Sequence, residues 1–393
     1  MWSFREIPLA IPSGRGIPCT PRKMPAGIPR WARYNVNMCK WPHRLGHGEE
    51  RVRDMPQAIT DKRQRPLRDL RLSVTDRCNF RCVYCMPKEV YGAKFHFLPR
   101  HDLLSFDELE RVVRLFAPLG VEKIRLTGGE PLLRQNVEQL VRQLSAVPGI
   151  SDIAMTTNGY FLSRDKASAL KDAGLHRITV SLDALDDATF GSINDVGAPV
   201  ERVLNAIRSA SAAGLTPVKI NMVVKRGVND EAVIAMARHF RFTGHILRFI
   251  EYMDVGNTNG WRLDDVVPAS EILPQIQTHW DVEPVASHHP GEVARRFRYR
   301  DGGGEFGIIS SVSQPFCQSC GRIRLSPEGR LYTCLFGSEG YDLRALIRDG
   351  NLSDPAVSEA LSALWGRRTD QYSLERTSQT RPHSKVEMSH IGG

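Results

Sequence analysis

The sequence predicts an α/β fold built from six consecutive strand–helix units, and three observations lead there. From residue 68 onward, short β-branched or apolar runs alternate with amphipathic stretches at helical spacing. Polar residues gather at the C-terminal ends of those runs, as in TGGE over 127–130, TTN over 156–158, SLD over 181–183 and Glu251. Gly174 and Gly214 follow helical patterns where C-terminal caps belong.

In order, the expected strands are 71–75 (RLSVT), 123–127 (KIRLT), 152–157, 177–182 (RITVSL), 217–224 (PVKINMVV) and 246–252 (ILRFIEY). The helices between them are expected near 106–116, 137–144, 166–173, 203–213 and 231–240. Such spacing suits right-handed crossovers and a parallel sheet. Composition does not choose between a partial barrel and a flat doubly wound sheet, but ligands bind at the carboxyl edge in both. After about residue 260 the pattern changes to short, largely antiparallel strands at 293–300, 306–311, 322–325 and 330–334. Helices near 342–348 and 355–365 follow, then a polar tail.

Charge narrows the function classes. The net charge is +9, yet residues 1–54 hold ten Lys/Arg against four Asp/Glu, so the other 339 residues carry only +3. A mildly basic body suits a pocket for a small anion and argues against nucleic acid as a partner. No apolar stretch approaches the roughly 18 residues needed to span a bilayer, so no membrane partner is expected. Residues 1–54 are expected to be an extension outside the fold, proline-rich and without an acidic residue between Pro8 and Gly48, with Met55 as the natural start. Their Arg-rich, acid-poor character is the one argument for organellar targeting, set against a cytoplasmic location for the rest.

Six of the eight cysteines form two groups, Cys78/Cys82/Cys85 and Cys317/Cys320/Cys334, with Cys19 and Cys39 left as bystanders. Grouped cysteines in a long chain point to metal in a reducing compartment. The first group is C-x3-C-x2-C just after the first expected strand. Thiolates select zinc or iron–sulfur clusters. Zinc wants a fourth ligand, for which His96 or His101 is at hand; a cubane on three thiolates leaves one iron open to a substrate or cofactor. The second group has no histidine between His289 and His383. Arg322 and Arg324 lie between its cysteines, and on a strand they share one face, a planar-fork pair suited to phosphate.

The first cysteine unit, Tyr84 before its last cysteine, and GGEP over 128–131 resemble the radical S-adenosylmethionine (SAM) enzymes. RDLRLSVTDRC (68–78), TGGEPLLR (127–134), FIEYMDVG (249–256), SVSQPFC (311–317) and the terminal Gly392 and Gly393 resemble one branch, the GTP 3′,8-cyclase family that opens molybdenum cofactor biosynthesis. That resemblance runs from about residue 55 to the end. It implies an incomplete (β/α)6 TIM-type barrel (55–260) and a C-terminal α+β region (261–393) carrying a second iron–sulfur cluster.

It also implies two [4Fe-4S] clusters: Cys78, Cys82 and Cys85 hold one together with SAM, and Cys317, Cys320 and Cys334 hold one that meets the substrate. Tyr84, Gly129, Ser181 and Met253 would line the SAM pocket. Arg71, Arg125, Thr156, Lys219, Arg322, Ile323, Arg324, Gly392 and Gly393 would contact GTP. The implied reaction cleaves SAM, takes the ribose 3′ hydrogen of GTP with a 5′-deoxyadenosyl radical, and joins C3′ to guanine C8. Implied partners are a flavodoxin- or ferredoxin-type donor and, through its product, cyclic pyranopterin monophosphate synthase; a homodimer is a family expectation. On the residues alone, a peptide-modifying radical enzyme with an auxiliary cluster and a zinc-stabilised nucleic-acid-binding protein remain as other readings.

Overall fold

Each of the first six strands is followed by a helical connection that returns to the same sheet edge. The computed structural model describes residues 58–287, 291–348, 352–376 and 385–392. The expected extension at 1–54, the start at Met55 and the tail residue Gly393 lie outside the described residues. The strands are β1 (Asp69–Ser73), β2 (Lys123–Thr127), β3 (Asp152–Thr157), β4 (Arg177–Ser181), β5 (Lys219–Val224) and β6 (Ile246–Glu251). Between them lie α1 (Phe106–Phe116), α2 (Val137–Ser145), α3 (Arg164–Asp172), α4 (Asp187–Asn194), α5 (Val200–Ala212) and α6 (Val233–Phe240).

Local chemistry sets these boundaries. Ser105 caps α1: its side chain accepts from Glu108 N at 3.1 Å, while the Glu108 carboxylate accepts from Ser105 N at 2.7 Å. Gly174 and Gly214 end α3 and α5 with φ of +106° and +77°, conformations that side chains resist. The helix α4 escapes the sequence pattern because eight residues with Gly191 inside carry little apolar period.

The sheet is larger than the six units. Its order is β12-β11-β10-β1-β2-β3-β4-β5-β6-β9-β8-β7, with β7 (Val282–Val285), β8 (Arg295–Tyr299), β9 (Glu305–Ile309), β10 (Arg322–Leu325), β11 (Arg330–Tyr332) and β12 (Tyr341–Asp342). The expectation of antiparallel pairing after residue 260 holds for β7–β8, β8–β9, β10–β11 and β11–β12. It fails for two strands: β9 pairs parallel with β6, and β10 pairs parallel with β1. Parallel partners are remote in sequence, so local patterning cannot reveal them. The partial (β/α)6 barrel thus gains one parallel strand on each flank. Further helices are α7 (Ala269–Gln277), α8 (Leu343–Arg348), α9 (Asp354–Gly366), α10 (Tyr372–Glu375) and α11 (Met388–Ile391).

Strand alternation separates two faces. Leu70, Leu72, Ile124, Leu126, Ile178 and Ile220 are fully buried in the main apolar core against the helices. Each such side chain contributes about 1.5–3 kcal/mol on burial. The intervening residues, Arg71, Arg125, Thr156, Lys219 and Arg248 among them, take the opposite, inner face. No helix among the described residues is long and apolar enough to cross a membrane.

Candidate active site

The cysteine loop after β1 is stitched to the end of β2 by backbone. Val74 N donates to Thr127 O at 3.0 Å, Gly129 N to Thr75 O at 2.8 Å and Glu130 N to Arg77 O at 2.8 Å. A Cβ on Gly128 would stand 2.4 Å from Thr75 O, and one on Gly129 2.3 Å from Arg77 O. Both glycines are therefore demanded by the approach of the cysteine loop. The amide of Gly129 is committed to that loop, which leaves its carbonyl as the group it can offer a ligand.

Cys78 Sγ accepts from Phe80 N at 3.4 Å and from Asn158 Nδ2 at 3.7 Å. Burial, and then the Glu130 carboxylate, push the Cys78 thiol up to about 12. Burial and mutual proximity raise Cys82 and Cys85 as well. Three thiols that resist ionisation together are suited to a cationic group that neutralises them. His96 and His101 are exposed, and among the described residues no group of three or more His, Cys, Asp or Glu, the cysteine trios included, is spaced to hold a single metal ion.

Glu130 ties β2 to β3: its carboxylate accepts from Thr157 Oγ1 at 2.7 Å, Asn158 N at 2.7 Å and Leu132 N at 3.0 Å. Burial lifts it to about 7. Tyr84 Oη donates to Asp183 Oδ2 at 2.8 Å, and Val223 N donates to Asp183 Oδ1 at 2.8 Å. Burial lifts Asp183 to about 6. Ser181, half-buried on β4, pairs with Asn221 on β5, whose Oδ1 is buried with no hydrogen-bond partner. Met253 follows β6 and packs on Ile250, Ala294 and Ile309. Tyr84, Gly129, Ser181 and Met253 thus stand at the carboxyl ends of β1, β2, β4 and β6 or in the loops that leave them.

The inner face is a field of cations: Arg125 and Arg324 are buried, and Arg71, Lys123, Lys219, Arg248 and Arg322 are half-buried. Arg71 on β1 is flanked in register by Arg324 on β10 and Arg125 on β2. Arg125 Nη1 donates to Thr156 Oγ1 at 3.0 Å, and Arg248 Nη2 to Thr179 Oγ1 at 3.2 Å. Among the described residues, Arg71, Arg125, Lys219, Arg248, Arg322 and Arg324 form no ion pair within 4.0 Å, although Lys123 reaches Asp69 at 3.6 Å. The Nε atoms of Arg71, Arg125 and Arg248 are buried and unsatisfied. Burial, then neighbouring cations, push Lys219 down to about 7, Arg248 to about 9 and Arg324 to about 10. Lys123 falls to about 8, and Arg71 well below its ordinary value. Asp69 on the same face and Cys320 beside Arg322 answer part of this charge, and the excess of one sign that is left suits a multiply charged ligand of the other.

Sequence reasoning named Arg71, Arg125, Thr156 and Lys219 but missed Lys123, Asn221 and Arg248. The signal for the last was available: in ILRFIE, Arg248 is the charged interruption of an otherwise apolar strand.

On the other flank, Cys317, Cys320 and Cys334 bracket β10 and β11. Arg322 Nε donates to Cys320 Sγ at 3.3 Å, and its guanidinium lies 4.8 Å from the Phe316 ring centroid. Burial opposes ionisation of Cys320, but Arg322 and Arg368 win and bring it down to about 6. Burial raises Cys334 to about 11. Ile323 sits between the two arginines with its side chain fully buried in the apolar core. Strand alternation turns it away from the inner face, so only its backbone can serve a ligand there.

The C-terminal segment crosses this face. Arg324 Nη1 donates to Gly392 O, and a Cβ on Gly392 would lie 2.0 Å from Thr127 Cγ2. The strap before it is anchored by Lys385 Nζ on Asp254 Oδ2 at 2.7 Å and by Asn257 N on Glu387 Oε1 at 2.8 Å. Asp254 and Gly256 in the FIEYMDVG motif are thus anchorage: a Cβ on Gly256 would be 2.0 Å from Glu387 Oε2.

Comparison with known proteins agrees with this layout. Residues 72–240 match the Radical SAM superfamily model, and residues 245–374 match Molybdenum Cofactor Synthesis C. A GTP 3′,8-cyclase of Acidothermus cellulolyticus is 52% identical over 363 residues, covering 86% of this chain and 100% of the relative. The chain belongs to the GTP 3′,8-cyclase family. A second GTP 3′,8-cyclase, from Staphylococcus aureus strain JH9, is 49% identical over 343 residues, with the same coverages of 86% and 100%.

Among solved structures, SuiB of Streptococcus suis bound to S-adenosylmethionine superposes with a TM-score of 0.53 at 13% identity. The match covers 76% of this chain and 65% of SuiB, and it bears on the fold alone.

Proposed function

We propose that this chain converts GTP to (8S)-3′,8-cyclo-7,8-dihydroguanosine 5′-triphosphate, the first step of molybdenum cofactor biosynthesis. The observation that carries the reading is the excess of half-buried and buried cations on the inner face, set between two cysteine trios. A triphosphate is the kind of ligand such a set needs: each charge-assisted hydrogen bond to it contributes about 1.5–3 kcal/mol.

The donor sets suit the groups the family implies. Cys78, Cys82 and Cys85 would hold one [4Fe-4S] cluster, and Cys317, Cys320 and Cys334 the other, three thiolates each. The unpartnered Asn221 Oδ1, the carbonyl of Gly129, Ser181, Met253 and Tyr84 would receive SAM. When bound, these groups supply reductive cleavage of the sulfonium and the radical chemistry that begins at the ribose 3′ hydrogen and closes a bond from C3′ to guanine C8.

The chain's own residues do the rest. Arg71, Arg125, Lys219 and Arg248 hold the phosphates, with Thr156 orienting Arg125. Arg322 and Arg324 carry positive charge from the phosphate end toward the second cluster. Gly392 closes the space above Arg324 and limits access of water, which a reactive radical requires. In this reading residues 55–260 serve SAM, and residues 261–393 bring the substrate-facing cluster. A low-potential flavodoxin- or ferredoxin-type protein supplies the electron, and cyclic pyranopterin monophosphate synthase takes the product.

The test is anaerobic reconstitution with iron and sulfide, then assay of 5′-deoxyadenosine with and without GTP. The reading expects GTP to stimulate its formation and the cyclised triphosphate to appear. Equal formation without GTP, and no cyclised product, would refute it.

A further inference from the structure

Behind the second cysteine group lies a lattice of two arginines and two aspartates, all buried except the half-buried Asp370, that the reaction does not use directly. Arg65, Asp61 and Arg368 are 1%, 2% and 5% exposed. Arg65 Nε donates to Asp61 Oδ2 at 2.6 Å, and Arg65 Nη1 donates to both Cys317 O at 3.0 Å and Asp370 O at 2.7 Å. Arg368 Nη1 donates to Cys320 O at 2.6 Å, and its Nη2 lies 3.6 Å from Cys320 Sγ as a donor. Asp370 clamps Arg368 through Nε at 3.0 Å and Nη2 at 2.9 Å, and it accepts from Thr333 Oγ1 at 2.7 Å. The indole of Trp365 lies under Arg368 at 4.6 Å and donates to Arg65 O at 3.1 Å.

Residues from both ends of the chain thus converge on all three cysteine positions. Arg65 holds the backbone of Cys317, Arg368 holds the backbone and sulfur of Cys320, and Asp370 holds the neighbour of Cys334. Arg368 also lies 3.6 Å from Asp61, and Arg65 3.9 Å from Asp370, so four ion pairs join the lattice; such pairs are weak evidence for stability, because desolvation offsets most of their attraction. Donors fixed on the ligands of a redox centre have a definite consequence: an N–H aimed at sulfur, with its positive charge, stabilises the added electron and raises the potential.

We propose that Arg368, locked by Asp370 and Asp61, is a positioning residue that sets the geometry of Cys320 and raises the reduction potential of the cluster held by Cys317, Cys320 and Cys334. This rests on the second-cluster reading above. Arg368 acts through Cys320 and touches no substrate.

The experiment uses the full chain with Cys78, Cys82 and Cys85 changed to Ala, so that any bound cluster belongs to the second site. Iron and sulfide content, the electron paramagnetic resonance spectrum and the midpoint potential are measured for this parent and for R368Q, R368K and D370N versions. The parent is expected to bind one cluster. R368Q is expected to keep it but to be reduced about tenfold less favourably, a shift of about 59 mV to lower potential for one electron. R368K recovers part of the shift, and D370N, which unlocks the guanidinium, broadens the spectrum. An R368Q cluster with the parental potential and spectrum overturns the proposal. Should R368Q bind no iron, R368K decides: a parental potential there overturns the tuning role, and an intermediate one supports it. A parent that binds no iron would defeat the second-cluster reading itself, a different outcome.

Discussion

Arg71 and Arg324 are direct register partners on neighbouring parallel strands, with Ile323 and Leu72 turned to the other side of the sheet. The buried Arg324 and half-buried Arg71 guanidiniums repel side by side, and the fold tolerates this because the apolar faces of β1 and β10 lock both strands. The same pair gives the phosphate end of the site its charge. R324A is expected to weaken GTP binding by roughly tenfold to a hundredfold, the worth of one charge-assisted bond. Cluster content should stay at the parental level; calorimetric titration with GTP and iron analysis check both halves.

Lys219 makes the site sensitive to pH. Burial, followed by Arg248, Arg177, Arg125 and Lys123, lowers it from 10.5 to about 7. Between those values the unfolded chain holds more protons than the folded one, so the ligand-free protein gains stability as pH rises through that window. GTP brings negative charge and favours the ammonium, so binding takes up protons above pH about 7. GTP affinity should therefore fall as pH rises from about 7 to 9. Titrations in two buffers of different ionisation enthalpy measure the uptake, and K219M should reduce it while stabilising the ligand-free protein at pH about 6.

Gly129 separates the two proposed clusters experimentally. Because its Cβ would meet Arg77 O at 2.3 Å, G129A should push the first cysteine loop off β2. The expected result is about half the parental iron, loss of SAM cleavage and retention of the second cluster. Unchanged iron with full SAM cleavage would contradict the packing argument.

Gly392 makes a comparable case at the tail. Its Cβ would fall 2.0 Å from Thr127 Cγ2, so G392A should displace the last residues and suppress cyclisation with both clusters present. T127S removes that methyl, and the double variant should recover part of the product yield. The φ of +73° at Gly392 still disfavours alanine, which keeps the rescue incomplete.

Asp254 is the counter-charge for Lys385 and Arg376, at 2.7 and 2.8 Å. D254N would leave two buried cations poorly paired, at a cost of about 3–5 kcal/mol if the strap stays docked. Release of the strap is the cheaper response. Limited proteolysis should therefore cut D254N near residue 385 faster than the parent.

Much of this architecture was legible from period alone. The runs 123–127 and 152–157 are the observed β2 and β3, and 106–116 is α1. Strand alternation already placed Arg322 and Arg324 on one face. What sequence could not show is long-range: β10 joins β1 in parallel across some 250 residues, and that pairing brings Arg324 beside Arg71. Ile323 was read with its neighbours as a substrate contact, though the same alternation turns its side chain to the core. Gly129 is expected from the sequence to line the SAM pocket, and the structure adds a separate demand the sequence does not show: the cysteine loop leaves no room for a Cβ at Gly128 or Gly129. The Arg65–Asp61–Arg368–Asp370 lattice joins residues about 300 positions apart and leaves no local pattern.

The central claim is that GTP lies between the two cysteine groups with its ribose 3′ hydrogen presented to the SAM side. The most direct measurement is anaerobic turnover of GTP carrying deuterium at C3′, with mass analysis of the 5′-deoxyadenosine formed. The account predicts one deuterium transferred into 5′-deoxyadenosine together with cyclised product. Unlabelled 5′-deoxyadenosine from the labelled substrate would contradict it.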